Sequence, residues 1–126
     1  MNVLGLGIDI VSTNRFNKIK NNKKLIKRLF TIHEREYCEN KNGTLCFAKR
    51  FAAKEAFVKA LGIGFRDGIN FSNIEIRNNK LGMPSIKISK LLKKKILQRF
   101  KSKKIQIFLS MSDEKNYAIA NVIITK

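Results

Sequence analysis

Residues 44–62 have the sequence TLCFAKRFAAKEAFVKALG, which predicts a long and largely apolar helix. At about 100° per residue, apolar side chains cover nearly its whole circumference, so we expect the helix to be central and buried. Gly62 is placed to end it, because glycine readily adopts the left-handed conformation that follows many helices. The remaining elements are therefore expected to pack around this helix.

Shorter elements are predicted on both sides of the central helix. Residues 3–11, VLGLGIDIV, are apolar and β-branched, which favours a buried strand. Thr31 and Glu34 have the spacing of a capping box at the start of a short helix. The other predicted elements are a helix capped by Ser12 or Thr13 and ending near Ile19, a helix over 23–30, strands over 73–77 and 84–89, a helix from Ser89 to Phe100, and a hairpin of strands over 105–111 and 117–124. This order predicts an α+β fold in which a mainly antiparallel sheet packs against the long central helix and shorter helices.

The length and composition predict a single domain that spans residues 1–126. Of the 126 residues 44% are hydrophobic, so the chain can bury a core of its own. No apolar run approaches the roughly 18 residues that a membrane span needs, so no membrane insertion is expected. The N-terminus lacks the basic region of a signal peptide. Cys38 and Cys46 are too few for a disulfide scaffold, so we expect reduced thiols and a cytoplasmic protein.

The charge of the chain is strongly unbalanced. It has 27 Lys and Arg against 9 Asp and Glu, a formal net charge of +18 at pH 7. A small basic domain of this kind can be a nucleic-acid-binding module, and an acidic membrane surface or an acidic protein is the next class of partner. The lysines at 93–95 and 101–104 lack interleaved aromatic residues of the kind that stack bases, and no zinc-finger or RRM signature is present. Compositional bias on a solvated surface is the remaining explanation for most of the lysines.

Two of the acids stand in apolar surroundings. Asp9 lies between Ile8 and Ile10 in the first predicted strand, where an unpaired carboxylate is costly to bury. Glu55 lies on an apolar face of the central helix. The simplest alternative for Asp9 is a strand-end residue that caps the next helix or pairs with a lysine. The alternative for Glu55 is an ordinary pair with Lys59 at i+4, which suits an exposed face better than an apolar one.

Asp9 and Glu55 together permit a magnesium–phosphate site. Two neighbouring carboxylates repel each other, and a divalent cation removes that difficulty. Mg²⁺ typically binds one or two carboxylates together with waters and substrate phosphates. Lys59 and Arg50 would supply further positive charge for a phosphate. The glycines of the following ALGIGFRDG, residues 60–68, match neither a P-loop nor a dinucleotide motif and by themselves indicate helix-stop and turn positions.

Four segments resemble the small bacterial 4′-phosphopantetheinyl transferases, the holo-acyl-carrier-protein synthases. GLGIDIVSTNRF at 5–16 is similar to their opening motif, and KRFAAKEAFVKALGIG at 49–64 to their second and most specific motif. FSNIEIRNNKLGMP at 71–84 and SMSDEKNYAIANVII at 110–124 resemble the segment between and the C-terminal hairpin. Order, spacing and length agree over nearly the whole chain. The resemblance therefore implies the 4′-phosphopantetheinyl transferase fold.

The resemblance also implies a reaction. The 4′-phosphopantetheine arm of coenzyme A (CoA) moves to a serine hydroxyl of apo-acyl carrier protein, and adenosine 3′,5′-bisphosphate leaves, in support of fatty acid biosynthesis. By the family pattern Asp9 and Glu55 hold Mg²⁺, and Glu55 accepts the serine proton either directly or through a metal-bound water. Lys59 stabilises the charge on the leaving phosphate.

Further contacts and an oligomeric state follow from the same resemblance. Arg15 matches a position that contacts the acidic carrier protein. The family is typically a homotrimer whose active sites lie between neighbouring subunits. A trimer that has lost catalysis is the alternative that the sequence leaves open. The residues that the pattern assigns to CoA are Arg50, Lys59, Gly62, Gly64, Ser110 and Asp113.

The chain departs from the family pattern at three positions. Asp113 stands where many members have histidine, and we interpret it as a subtype, because some members carry Asp-Glu there. Met83 stands where Gly-Lys-Pro is common, which removes one cation near the CoA site. Val58 replaces a small residue beside Lys59. None of the three belongs to the implied metal pair.

Overall fold

The computed structural model describes residues 2–65 and 68–126 and confirms the α+β fold. Residues 1, 66 and 67, which belong to the predicted domain and the ALGIGFRDG segment, lie outside the described residues. A single 3₁₀ turn at Phe71–Asn73 leads into the second strand. The elements are β1 (Val3–Ser12), α1 (Asn14–Ile19), α2 (Lys23–Leu29), α3 (Ile32–Glu39), α4 (Gly43–Leu61), β2 (Ile74–Asn78), β3 (Pro84–Ile88), α5 (Lys90–Arg99), β4 (Gln106–Asp113) and β5 (Tyr117–Thr125).

The central helix α4 has the length and the ends that the sequence predicts. The Asn42 side chain caps its first turn by accepting a hydrogen bond from the Leu45 amide at 3.3 Å. Gly62 follows its last residue with φ of 75°, the left-handed conformation that glycine favours. Most of the helix between these caps is buried. Among the described helices, none is both long and apolar enough to cross a membrane.

The expected antiparallel strands divide into two sheets in the described part of the chain. One sheet has the order β1-β5-β4, and the other is the β2-β3 hairpin; every pairing is antiparallel. The helix α4 packs against β1 and β5 of the larger sheet. A cluster of aromatic rings fills the space between α4 and the shorter helices, comprising Phe16, Phe30, Phe47, Phe51 and Phe71.

The expectation that β1 is a buried strand holds for one of its two faces. Side chains alternate along a strand, and only one face of β1 meets α4. Gly7 and Val11 lie on that buried face. Leu6, Ile8 and Ile10 point to the other side and are more than half exposed. Both faces of β1 are therefore apolar, and the folded chain buries only the face that meets α4.

The threonines that precede two short helices have different roles. Thr31 forms the predicted capping box of α3: its hydroxyl accepts from the Glu34 amide, and Glu34 Oε1 accepts from the Thr31 amide. Thr13 precedes α1 as expected, but its hydroxyl makes no cap. It donates instead to the Lys115 carbonyl at 3.0 Å. Thr13 thus ties the end of β1 to the turn between β4 and β5.

The two cysteines are paired in the structure, in contrast to the reduced thiols that the sequence predicts. Cys38 and Cys46 form a disulfide across the short connection between α3 and α4. They are eight residues apart in sequence, and the connection brings their Cα atoms to 5.5 Å, which is within the range a disulfide spans. Counting cysteines could not reveal this, because the pairing depends on how the two helices meet.

Candidate active site

Two glycines bring β1 against the backbone of α4. A Cβ atom at Gly5 would lie 2.0 Å from the Ala60 carbonyl oxygen, and one at Gly7 would lie 1.9 Å from the Ala56 carbonyl oxygen. Residues with a side chain cannot approach a helix backbone this closely. The next residue on the same face of the strand is Asp9. The close approach therefore directs the Asp9 carboxylate at the middle of α4.

Lys59 binds Asp9 rather than Glu55. Its Nζ atom donates to Asp9 Oδ1 and to the Ile8 carbonyl oxygen, both at 3.1 Å. Asp9 is largely shielded, with 15% of its side chain exposed, whereas Lys59 is 56% exposed. The alternative of an intrahelical pair between Glu55 and Lys59 is therefore not the contact that forms. Asp9 does pair with a lysine, and that lysine is the one already assigned to the site.

Glu55 is half-buried beside this pair and keeps no partner of its own. In the described part of the chain its carboxylate accepts no hydrogen bond and forms no ion pair. Burial raises the pKa of Glu55, and the negative charge of Asp9 raises it further. The positive charges of Lys59 and Arg15 act in the opposite direction. We call Asp9, Glu55 and Lys59 the carboxylate cluster.

Arg15 lies on α1 at the rim of the carboxylate cluster. Its side chain is exposed, and its guanidinium lies 5.5 Å from the centre of the Phe51 ring, at a distance suited to a cation–π contact. Its charge also acts on Glu55. Arg15 therefore presents a positive charge to solvent at the edge of the cluster.

Arg50 occupies a separate, buried position on α4. Only 2% of its surface is exposed. Its Nη1 donates to Cys46 Sγ at 3.3 Å, its Nη2 donates to Asn78 Oδ1, and its guanidinium lies 4.5 Å from the centre of the Tyr37 ring. Burial lowers its pKa, although Glu34 and Tyr37 favour the charged form. None of these contacts joins Arg50 to the carboxylate cluster.

The other residues assigned to CoA are dispersed over the chain. Gly62 and Gly64 have φ values of 75° and 71° and begin the loop that follows Lys59, so they lie next to the cluster in sequence. Asp113 ends β4, where Lys49 binds it at 3.2 Å. Ser110 lies opposite Asn121 on the exposed face of the larger sheet, which faces away from α4. One chain therefore brings together only part of the set that the family pattern names.

The residues of the cluster fit a divalent cation. Asp9 and Glu55 are close enough to raise the pKa of Glu55, so a cation between them would relieve the repulsion. Carboxylate oxygens are the ligands that Mg²⁺ prefers. In residues 2–65 and 68–126 no three His, Cys, Asp or Glu side chains form a metal-binding group. The chain thus offers two ligands, and phosphates and water would supply the others.

The most deeply buried acid is one that the sequence analysis placed only as a helix cap. Glu34 is fully buried and forms an ion pair of 2.6 Å with the equally buried Lys54. Glu34 Oε2 also accepts from the Ile76 amide, and Lys54 donates to the carbonyls of Leu29 and Phe71. The pair ties α3, α4 and the start of β2 together. Lys54 precedes Glu55, so this buried network holds the helix segment that carries the cluster.

A family model described as the 4′-phosphopantetheinyl transferase superfamily matches residues 5–122. The holo-[acyl-carrier-protein] synthase of Pelagibacter ubique is 45% identical over 127 residues, covering 100% of this chain and 99% of the relative. The chain belongs to this family. Its membership confirms the predicted enzyme class, a transferase that moves phosphopantetheine from CoA to apo-acyl carrier protein.

Solved structures of the family have the same fold. The chain is similar to the holo-[acyl-carrier-protein] synthase of Neisseria meningitidis, with a TM-score of 0.86 and 36% identity over 99% of this chain and 100% of the other. It is also similar to the Helicobacter pylori synthase in complex with coenzyme A, with a TM-score of 0.79 and 32% identity over 95% of this chain and 99% of the other. The 4′-phosphopantetheinyl transferase fold that the motifs predicted is therefore confirmed.

Proposed function

We propose that the carboxylate cluster is the place where this transferase acts. The observation that carries the proposal is the Glu55 carboxylate, which lies half-buried beside Asp9 and finds no hydrogen-bond partner among the described residues. A raised pKa makes a carboxylate a stronger base, and a free carboxylate is available to accept a proton. Replacing Glu55 by glutamine tests this role, because it should lower the rate of transfer without unfolding the protein.

The proposed reaction is a displacement at phosphorus. The serine hydroxyl of the carrier protein attacks the phosphorus that bears the pantetheine arm and gives its proton to Glu55. A new oxygen–phosphorus bond forms as the bond to adenosine 3′,5′-bisphosphate breaks. Lys59 uses two of its three N–H donors on Asp9 and the Ile8 carbonyl, which leaves the third for the leaving phosphate. Asp9 and Ile8 thus hold the lysine in place as a donor to the developing charge.

Asp9 and Glu55 would hold the divalent cation, which we propose is Mg²⁺. When bound, the ion supplies charge neutralisation of the pyrophosphate and polarisation of the phosphorus.

We expect Mg²⁺ to strengthen CoA binding to the native protein, measured by titration calorimetry. In Asp9→Asn this gain in CoA affinity should be at least about tenfold smaller. Loss of a residue that merely hydrogen-bonds a metal ligand already lowers metal affinity about tenfold, and Asp9 is proposed to be a ligand itself. Equal Mg²⁺ dependence in both proteins would exclude Asp9 as a ligand, and a lack of any dependence in the native protein would favour the catalytically inactive trimer.

Arg15 is proposed to contact the acidic carrier protein. We expect Arg15→Glu to raise the KM for carrier protein several-fold while the KM for CoA changes little, because charge complementarity acts on the encounter with the protein partner. Steady-state kinetics with each substrate varied in turn measures both constants. Lys94→Glu, the same charge reversal on exposed α5, is the control. An equal effect of Arg15→Glu on both KM values would remove Arg15 from the docking surface.

The outer face of the larger sheet supports a homotrimer, the arrangement that the family resemblance implies. Rows of apolar side chains cross this face, where Leu6, Ile123 and Phe108 are neighbours in register. Leu6 and Phe108 are largely exposed in the single chain. A contiguous apolar face of this kind is typical of a subunit interface. Ser110 lies on the same face, so a neighbouring subunit would bring its own groups to this proposed CoA contact.

Phe108→Glu tests the interface. Placing a charge in an apolar subunit contact is strongly unfavourable, so we expect the native protein to sediment as a trimer and Phe108→Glu as a monomer. Leu91→Glu, at a similarly exposed apolar residue on α5, should remain a trimer. Sedimentation equilibrium gives the three masses. A trimeric Phe108→Glu protein would place the subunit contacts elsewhere.

The cellular setting follows from the proposed reaction. We propose that the enzyme supplies holo-acyl carrier protein for fatty acid biosynthesis and works in the cytoplasm. Titration of free thiols in protein that is alkylated during cell lysis tests the setting, because cytoplasmic reductants keep most thiols reduced. The Cys38–Cys46 disulfide should then be found open in fresh lysate and should close on oxidation.

A further inference from the structure

A small cavity beside Arg50 is lined by three cationic side chains. It has a volume of about 150 Å³ and is lined by Lys41, Lys49 and Arg50, while no Asp or Glu lies among its described lining residues. The partners of the Arg50 guanidinium, Cys46 and Asn78, are neutral. Arg50 Nε is buried and has no hydrogen-bond partner. Three cations around one cavity favour an anionic ligand.

Lys49 is held at this cavity by Asp113. Lys49 immediately precedes Arg50 on α4, and its Nζ lies 3.2 Å from Asp113 Oδ2 at the end of β4. About a third of each side chain is exposed, 30% for Lys49 and 33% for Asp113, so the pair is reached from solvent. An ammonium group has three N–H donors, and the pairing with Asp113 uses one of them. The others remain for a ligand in the cavity.

A larger polar cleft adjoins the same pair. It has a volume of about 670 Å³ and lies between α1, the start of α4 and the turn after β4. Asp113 lines this cleft, and Asn42 and Leu45 line both the cleft and the small cavity. The Lys49–Asp113 pair therefore lies where the two spaces meet. A ligand with an anionic group in the small cavity has room for a bulkier part beside it.

We propose that Lys49 binds a phosphate group of the CoA nucleotide and that Asp113 is the positioning residue that holds Lys49 there. The inference rests on the proposed function, since it names a contact of the same substrate. It gives a physical role to a residue that departs from the family pattern. In this role Asp113 acts on the nucleotide through Lys49.

The test measures CoA affinity by calorimetry in a cycle of variants. Lys49→Met should weaken CoA binding by about tenfold or more, as expected for the loss of a charge-assisted hydrogen bond. Asp113→Asn alone should also weaken it, because Lys49 loses its fixed position. In the Lys49→Met background the effect of Asp113→Asn on CoA affinity should reverse. Asp113→Asn should then strengthen CoA binding, because it removes an unpaired carboxylate beside the phosphate. Lys49→Arg should restore most of the affinity, and the exposed Lys94→Met should leave it near the native value.

A merely structural contact between α4 and β4 would give a different result. Lys49→Met and Asp113→Asn would then lower the melting temperature alike and leave CoA affinity unchanged, which would overturn the proposal. The same effect of Asp113→Asn in both backgrounds would also overturn it. A loss seen with CoA but not with dephospho-CoA assigns Lys49 to the 3′-phosphate, and a loss with both assigns it to the pyrophosphate. Failure of the native protein to bind CoA would instead reject the proposed function itself.

Discussion

Replacing Glu55 by glutamine is expected to lower the rate of transfer by about 10²–10⁴-fold, the contribution typical of a positioned general base. Glutamine has nearly the same size and shape, so the packing of α4 should persist. It cannot accept the serine proton, and its neutral oxygen is a weaker ligand for a divalent cation. The loss should therefore appear in kcat with little change in stability, because the native Glu55 makes no hydrogen bond or ion pair within the described residues.

The measurement is single-turnover transfer at saturating CoA, carrier protein and Mg²⁺. Glu36→Gln provides the matched control, because Glu36 is an exposed glutamate on α3 and should keep the native rate. Thermal melting of both variants shows whether the fold is retained. Metal-dependent turnover near the native rate in a folded Glu55→Gln protein would contradict the role assigned to Glu55.

Gly7→Ala is expected to destabilise the folded protein severely. Its new Cβ atom would lie 1.9 Å from the Ala56 carbonyl oxygen and 2.7 Å from the Ala60 amide nitrogen, and both atoms belong to the helix backbone. Neither atom can rotate away, so β1 must separate from α4, against which it packs extensively. The loss in free energy of unfolding should exceed the value of about 1–3 kcal/mol that an oversized core side chain typically costs. That is a large part of a total stability of about 5–15 kcal/mol.

Gly43→Ala is the matched control for this clash. A Cβ atom at Gly43 would approach only the Cys38 carbonyl oxygen, at 3.9 Å, and Gly43 lies at the start of α4. Alanine there should leave stability unchanged or raise it by about 0.4–1 kcal/mol by restricting the unfolded chain. Urea denaturation of the three proteins measures the difference. Native stability in Gly7→Ala would show that β1 and α4 are not in the close contact described.

Local sequence patterns predicted most of the elements that build this fold. The apolar circumference of α4, the Gly62 stop and the Thr31–Glu34 capping box each depend on neighbours within one turn, so a single segment reveals them. The close approach of β1 to α4 also left a signal that the sequence analysis did not use. Gly5 and Gly7 alternate on one strand face, and alanines at 56 and 60 recur at helical spacing on the opposing face.

Burial of a carboxylate proved an incomplete guide to the site. Glu34 is buried more deeply than Asp9 or Glu55, yet Lys54 neutralises it and two backbone amides bind it. Its partners lie up to 42 residues away in sequence, so no local pattern reveals that it is satisfied. Glu55 differs in that its half-buried carboxylate lies beside another acid and has no partner among the described residues. That combination becomes visible only when β1 is placed on α4.

Contacts between distant segments account for the remaining differences. The Cys38–Cys46 disulfide depends on the angle between two helices, and the Lys49–Asp113 pair joins residues 64 positions apart in the numbering. Both lie near Arg50, whose surroundings the sequence could not describe.

The mass of the carrier protein shows directly whether this chain transfers phosphopantetheine. Native protein is incubated with CoA, Mg²⁺ and apo-acyl carrier protein, and the carrier is weighed by mass spectrometry beside an active synthase as control. We predict a mass gain of one phosphopantetheine arm on a single serine, with 3′,5′-ADP released in equal amount. An unchanged carrier mass in the presence of a working control would contradict the account of Asp9, Glu55 and Lys59 as the active site of a phosphopantetheinyl transferase.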